Sequence, residues 1–252
     1  MFVLGVNRAY LYAHPERELT PEEQMRYDEV IAQRASGVPA QYITGHQEFW
    51  GLDFVVSPAV LIPRPETEHL IEAALELARD VPSPRIVDVG TGSGCIALAL
   101  AHELKNAELY AVDLSADALE IARVNAARLQ LEDRVRFLKS NVLEALAETH
   151  RFDVVVSNPP YVGLNEADKV QRSVFENEPR MAVFAGEHGL DVIRPLIEQA
   201  HAALKPGGYL AMEIGYSMRD AVLGLLHFFL WEEPTVVPDL QGIPRVIVAR
   251  KR

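Results

Sequence analysis

The chain has 252 residues, 49% hydrophobic and 24% charged, which supports one substantial core with a small appendage and excludes a disordered chain. Its 24 Lys and Arg stand against 36 Asp and Glu, and a formal net charge of −12 argues against gripping nucleic acid through many phosphate contacts. A single cysteine, Cys95, excludes a disulfide framework and a cysteine-rich zinc site and fits a reducing, cytoplasmic home.

The N-terminus lacks a basic region followed by a long apolar run, so no signal peptide is expected. Residues 1–79 have a helical texture with one interruption. Thr20-Pro21-Glu22-Glu23 is a helix start: Thr20 caps, Pro21 suits the first turn and Glu23 closes a capping box. That helix is expected to run to about Ser36 and stop at Gly37 and Pro39. Two short apolar runs around Gly51, Glu48-Phe49-Trp50 and Asp53-Phe54-Val55-Val56, predict a hairpin. Pro63 and Pro65 forbid a helix in the next segment, and a helix is expected over 66–79.

From Arg85 onward strands and helices alternate. Strands are expected at 85–89, 109–112, 135–138, 152–157 and 209–214, and helices at 95–104, 116–129 and 190–204. The apolar stretch 221–231 is too short for a membrane span, carries His227, and reads as a buried helix running into a strand. Residues 231–238 and 245–250 read as a closing antiparallel pair around Gly242. Such alternation predicts a doubly wound α/β sheet.

Val87-Asp88-Val89-Gly90-Thr91-Gly92-Ser93-Gly94 joins the first of these strands to a helix. Glycines at alternate positions let a ligand approach the backbone at the helix N-terminus. A dinucleotide fingerprint would place glycine at position 95, where Cys95 stands, and no lysine follows to make a phosphate-binding loop. The spacing suits an uncharged sugar and an amino-acid tail, the pattern of class I methyltransferases. Asp113 ends the second strand, 19 residues beyond Gly94, and is expected to accept bonds from both ribose hydroxyls. Its bland alternative is a helix cap, for which Ser115 is better placed. Asp88 is expected to bond either the loop backbone or the cofactor's ammonium group. Asn141 and Val142, after the third strand, are expected beside the adenine edge.

Ser157-Asn158-Pro159-Pro160-Tyr161 ends the fourth strand. Two consecutive prolines fix the backbone and remove two N–H donors, leaving a wall of carbonyl acceptors. The Asn158 side chain adds an oxygen and Tyr161 a flat ring. A carboxamide nitrogen is a weak nucleophile. Its N–H groups, donated to the Asn158 side-chain oxygen and the Pro159 carbonyl, would hold it facing an electrophilic methyl. No metal is expected at this site.

Ile62-Pro63-Arg64-Pro65-Glu66-Thr67-Glu68, the loop from Gly90 to Gly94, Asp113 and Asn158-Pro159-Pro160-Tyr161 together resemble the HemK/PrmC-type protein-glutamine N5-methyltransferases. Phe49-Trp50-Gly51, Glu176-Asn177-Glu178-Pro179, Gly186, Gly189-Leu190-Asp191 and Lys205-Pro206-Gly207-Gly208 match the same family. The resemblance implies a helical N-terminal substrate-docking domain at 1–45, a hairpin linker at 46–66 and a Rossmann-like class I methyltransferase domain at 67–252. It implies S-adenosyl-L-methionine as cofactor, bound by Asp88, Gly90, Thr91, Gly92, Ser93, Gly94, Asp113, Asn141, Val142 and Asn158. It implies Asn158, Pro159 and Tyr161 as catalytic groups, with Pro160, Arg64 and Glu66 also contacting substrate. The implied substrate is the glutamine of the Gly-Gly-Gln motif in peptide-chain release factors, in the cytoplasm, with neither nucleic acid nor membrane as partner. Relatives carry about two more helices before the position of Met1, so the N-terminal domain is expected to be shortened or its start displaced.

Three other activities share parts of this pattern. Ribosomal-protein glutamine methyltransferases typically break the Pro-Glu-Thr run that this chain keeps at 65–67. DNA adenine methyltransferases use the same kind of tetrapeptide on a flipped base but need a basic cleft and a recognition domain. A cofactor-binding protein without catalysis would not need Asn158 to Tyr161 intact.

Overall fold

The computed structural model describes residues 1–146 and 151–252. Near the N-terminus lie α1 (Arg8–Ala13), α2 (Pro21–Ala35) and α3 (Ala40–Thr44). The expected capping box is in place: the Glu23 N–H donates to Thr20 Oγ1 at 3.2 Å, and the Thr20 N–H to Glu23 Oε2 at 3.0 Å. None of residues 1–38 is buried. A hairpin of β1 (His46–Phe49) and β2 (Leu52–Val55) follows, turned at Trp50 and Gly51. It is fastened by Asn125, a fully buried side chain that bonds both the N–H and the carbonyl of Val55. A short 3₁₀ turn, Pro65–Thr67, then leads into α4 (Glu68–Ala78).

The remainder is a sheet flanked by helices. In chain order come β3 (Arg85–Val89), α5 (Cys95–Glu103), β4 (Glu108–Asp113), α6 (Ala116–Arg128), β5 (Val135–Lys139) and β6 (Phe152–Ser157). Then follow α7 (Arg172–Asn177), α8 (Arg180–Val183), α9 (Ile193–Ala203), β7 (Leu204–Glu213), α10 (Arg219–Leu223), β8 (Thr235–Pro238) and β9 (Pro244–Arg250). Among the described residues the sheet has seven strands in the order β5-β4-β3-β6-β7-β9-β8. The first five are parallel, and β9 inserts antiparallel between β7 and β8. The chain winds outward from β3 through β4 to β5, then returns to β6 on the other side of β3. The switch point therefore lies between β3 and β6, where open α/β sheets place their ligands, beyond the carboxyl ends of the strands.

The central strands are apolar runs because both faces are covered: Ile86, Val87, Val154, Val155 and Val156 are all fully buried. Two expectations fail. The strand read as starting at Tyr209 begins at Leu204, and Lys205-Pro206-Gly207-Gly208 forms a bulge within it, where the pairing with β6 shifts between Phe152 and Val154. The stretch 221–231 is not a buried helix. The helix there ends at Leu223, and Phe228 and Phe229 are 67% and 75% exposed, while Val222, Leu226 and Trp231 carry the burial. Among the described residues no helix is long and apolar enough to cross a membrane.

Candidate active site

The loop after β3 and the tetrapeptide after β6 meet at the switch point. Gly90, Gly92 and Gly94 all have positive φ, at 73°, 55° and 82°. A Cβ on Gly90 or Gly92 would meet nothing within 4 Å, so these two glycines present bare backbone to an open cavity. Gly94 acts differently. A Cβ there would sit 3.1 Å from both Ala122 Cβ and Leu98 Cδ1, so it is the close-packing glycine between α5 and α6 and does not line the cavity.

Asp88 also lies outside the cavity, fully buried beneath the loop. Its Oδ2 accepts from the Thr91 hydroxyl at 2.6 Å and the Ala97 N–H at 3.2 Å, so of its two expected roles the structure supplies the loop anchor and not the direct ligand contact. Among the described residues its Oδ1 is buried without a partner. Burial pushes the Asp88 carboxyl up to about 7, with nearby Asp113 adding to the rise and the bonds from Thr91 and Ala97 opposing it.

Asp113 lines the cavity. Its Oδ2 accepts from the Gly92 N–H at 2.9 Å and its Oδ1 from the Ser115 N–H at 2.8 Å. Each oxygen keeps acceptor capacity for a second donor. Burial holds this carboxyl above its ordinary value against the bonds from Ser115, Gly92 and Leu114. Ser115, not Asp113, caps α6, through the Ala118 N–H. Val142 lines the cavity at φ 51°, an unusual conformation for a β-branched residue and the mark of a locally over-determined loop. The fastening is visible: the Leu143 N–H donates to Gln199 and the Ala145 N–H to Ser140. Asn141 reaches the rim, but its exposed side chain donates to Glu144.

The cavity encloses about 1080 Å³ including its open mouth. A second cavity adjoins it. Leu61, Arg64, Asn158, Pro159, Pro160 and Ala182 line both, so the tetrapeptide is the partition between them. Tyr161 faces the second cavity, its ring half-buried and its hydroxyl 3.4 Å from Glu213 Oε1. The Asn158 side-chain NH₂ donates to Thr67 Oγ1 at 3.1 Å. Among the described residues neither Asn158 Oδ1 nor the Pro159 carbonyl accepts a hydrogen bond.

Arg64 is both strut and wall: it pairs with Glu178, whose side chain is 1% exposed and also accepts from the Ile62 N–H. The structure does not bring Glu66 into either cavity. The 3₁₀ turn at 65–67 points Glu66 to solvent and Thr67 inward, so the inward position belongs to the neighbouring residue. Thr67, Glu213 and Asn125 escaped the sequence reading. A signal existed for the last two, a lone carboxylate inside the apolar run Leu210 to Ile214 and a lone amide on the apolar face of a helix.

This cleft fits a nucleoside bearing an amino-acid tail. A bare-backbone loop and a carboxylate suit sugar and tail, and Leu114, 50% exposed beside Asp113, lines the same cavity as Val142 and adds apolar surface for a flat base. Fold and site together define a Rossmann-like S-adenosylmethionine-dependent methyltransferase. Residues 67–187 match the methyltransferase small domain family and residues 1–45 the PrmC N-terminal domain family. The chain is 59% identical to a release factor glutamine methyltransferase of Koribacter versatilis, over 100% of this chain and 88% of that one. It is 43% identical to one of Moorella thermoacetica, over 98% and 87%. It belongs to the release factor glutamine methyltransferase family. In the solved hMettl16 catalytic domain, 19% identical, the fold recurs with a TM-score of 0.65 over 91% of this chain and 80% of that one.

Proposed function

We propose that this enzyme methylates the side-chain nitrogen of the glutamine in a release factor's Gly-Gly-Gln loop, and that Asn158 and Pro159 orient that amide for transfer. The observation that carries the reading is the shared wall. One cavity suits the methyl donor, the other suits the substrate, and Asn158 and Pro159 line both. S-adenosylmethionine, when bound, supplies an electrophilic methyl on its sulfonium. Asp113 and the backbone of Gly90 to Ser93 would hold its ribose and amino-acid tail, and Leu114 and Val142 would offer apolar surface to its base.

The glutamine side chain enters through the second cavity. Its two N–H groups donate to Asn158 Oδ1 and the Pro159 carbonyl, which leaves the nitrogen lone pair, perpendicular to the amide plane, free to face the methyl donor. These acceptors would also stabilise the positive charge that grows on nitrogen as the new N–C bond forms and the C–S bond of the donor breaks, its electron pair staying on sulfur as a neutral thioether, and the surplus proton then leaves to solvent. The Tyr161 ring packs on the amide plane, and Arg64, locked by Glu178, holds the rim. Glycines on either side of the target let the substrate loop enter without side-chain clashes.

The test is mass spectrometry of a digested release factor after incubation with enzyme and S-adenosylmethionine, beside duplex DNA and ribosomal protein as rival substrates. The Gly-Gly-Gln peptide gains the mass of one methyl substitution, and with Asn158→Ala the rate falls about 10²–10³-fold. Methyl on DNA or ribosomal protein, with that peptide unmodified, refutes the reading.

A further inference from the structure

We propose that Thr67 and Glu213 form a positioning relay that turns the Asn158 side-chain oxygen toward the substrate amide. This rests on the reading of Asn158 as an acceptor given above. Glu213 is the last residue of β7, and Thr67 closes the 3₁₀ turn before α4; both are 2% exposed. Thr67 Oγ1 donates to Glu213 Oε2 at 2.7 Å, Asn158 Nδ2 donates to Thr67 Oγ1 at 3.1 Å, and the Tyr161 hydroxyl approaches Glu213 Oε1 at 3.4 Å. One buried carboxylate therefore reaches both polar side chains of the tetrapeptide, one directly and one through a hydroxyl.

The direction of the chain follows from counting protons. An ionised carboxylate only accepts, and a hydroxyl has one proton to give. With that proton committed to Glu213, Thr67 Oγ1 faces Asn158 as an acceptor only. Asn158 must then offer Thr67 its NH₂, and its Oδ1 turns the other way, toward the shared wall. Were the relay reversed, with Thr67 donating to Asn158 Oδ1, the Asn158 NH₂ would face the NH₂ of the incoming glutamine, donor against donor, and the amide would not dock. Glu213, which also lines the second cavity, thus acts through Asn158 and Tyr161.

The groups that act on Glu213 come from several elements: Thr67 and, from the solvent side, Glu66 on the turn, Tyr161 after β6, Arg245 on β9 and Cys95 on α5. Burial raises the Glu213 carboxyl and Glu66 adds to the rise, while the bonds from Thr67 and Tyr161 and the charge of Arg245 oppose it. A protonated Glu213 has a proton to give back to Thr67, so kcat is expected to fall on the acid side as Glu213 titrates.

The experiment compares kcat, KM and S-adenosylmethionine affinity for Thr67→Val, Thr67→Ser, Glu213→Gln and Asn158→Ala. Valine keeps the volume of Thr67 and removes the hydroxyl; serine keeps the hydroxyl and removes a methyl. Thr67→Val and Glu213→Gln are expected to lower kcat on the order of 10²-fold with cofactor affinity retained. Thr67→Ser should recover most of what Thr67→Val loses. A purely structural role gives the opposite order, with valine tolerated and serine not. Asn158→Ala inactive beside fully active Thr67→Val and Glu213→Gln overturns the relay and leaves the reading of Asn158 standing. A fully active Asn158→Ala overturns that reading itself.

Discussion

The Ser157 hydroxyl donates to the Val89 carbonyl at 2.7 Å, with Ser157 1% exposed and the two residues opposite each other in the parallel pairing of β3 and β6. The strand end that launches the glycine loop is thereby tied to the strand end that launches the tetrapeptide. Ser157→Ala leaves that carbonyl without its side-chain donor, which costs about 1–3 kcal/mol if the group is left unsatisfied. Thermal denaturation should show the loss. An unchanged melting temperature would mean that the strand pairing alone sets the spacing of the two loops.

Asp113→Asn tests the ribose carboxylate while keeping its shape. The substitution removes the charge that strengthens the bond from Gly92 and the expected bonds from the ribose. Charge-assisted bonds are worth about 1.5–3 kcal/mol each, and roughly 1.4 kcal/mol is tenfold in affinity. Calorimetry should show S-adenosylmethionine binding weakened about tenfold to a hundredfold. Unchanged affinity would remove Asp113 from the cofactor site.

Asp88 links stability to pH. Its folded carboxyl is pushed up to about 7, well above its unfolded value, so the neutral form is favoured by folding. Stability from this group is fully present below the unfolded pKa and is lost as pH rises through the folded one. Asp88→Asn, which cannot ionise, should therefore gain melting temperature relative to the parent between roughly pH 5 and pH 8. A gap that stays constant, or moves the other way, counts against a neutral Asp88 at low pH.

The parallel core was legible in the sequence because burial on both faces leaves unbroken β-branched runs, and the strands at Arg85–Val89 and Phe152–Ser157 fall where those runs end. The closing segment was less legible. Hydrophobicity alone does not show that Phe228 and Phe229 face solvent while Trp231 turns inward. Lys205-Pro206-Gly207-Gly208 follows directly on α9, and a bulge absorbs it within β7. At the site, the contiguous motifs were readable, since each sits on one loop. The bond from Thr67 to Glu213 spans 146 positions, and no local pattern encodes such a partner.

Removing the residues before Ala40 should spare cofactor binding and impair action on a whole release factor. None of residues 1–38 is buried, whereas Tyr42, kept in the truncation, donates to the carbonyl of Val60 on the cavity wall at 2.6 Å. Met25, Tyr27 and Ile31 are exposed on α2 and would be lost. Turnover on intact release factor should fall while calorimetric affinity for S-adenosylmethionine holds. Loss of cofactor binding would place the domain boundary elsewhere.

Gly189 lines neither cavity, yet it should control the reaction. Its φ is 73°, and a Cβ there would stand 2.2 Å from the Tyr161 carbonyl oxygen and 3.1 Å from the Gly163 nitrogen. Both obstacles are backbone, so no side chain can swing aside, and the segment after the tetrapeptide must shift. That segment is otherwise pinned by the Val162 N–H to the Val183 carbonyl and the Ala185 N–H to the Val162 carbonyl, both at 3.0 Å. Movement is therefore passed back toward Tyr161 and the acceptors of Asn158 and Pro159. A misplacement of about 1 Å at a reacting centre costs about 10²-fold in rate. Gly189→Ala should lower kcat by about that factor and leave S-adenosylmethionine affinity near that of the parent, because the glycine loop and Asp113 lie across the switch point. Gly224→Ala is the control: its φ is −64° and a Cβ there comes no nearer than 3.4 Å to any heavy atom, so activity should hold. A Gly189→Ala enzyme with unimpaired kcat would show that the tetrapeptide does not depend on this backbone contact for its position.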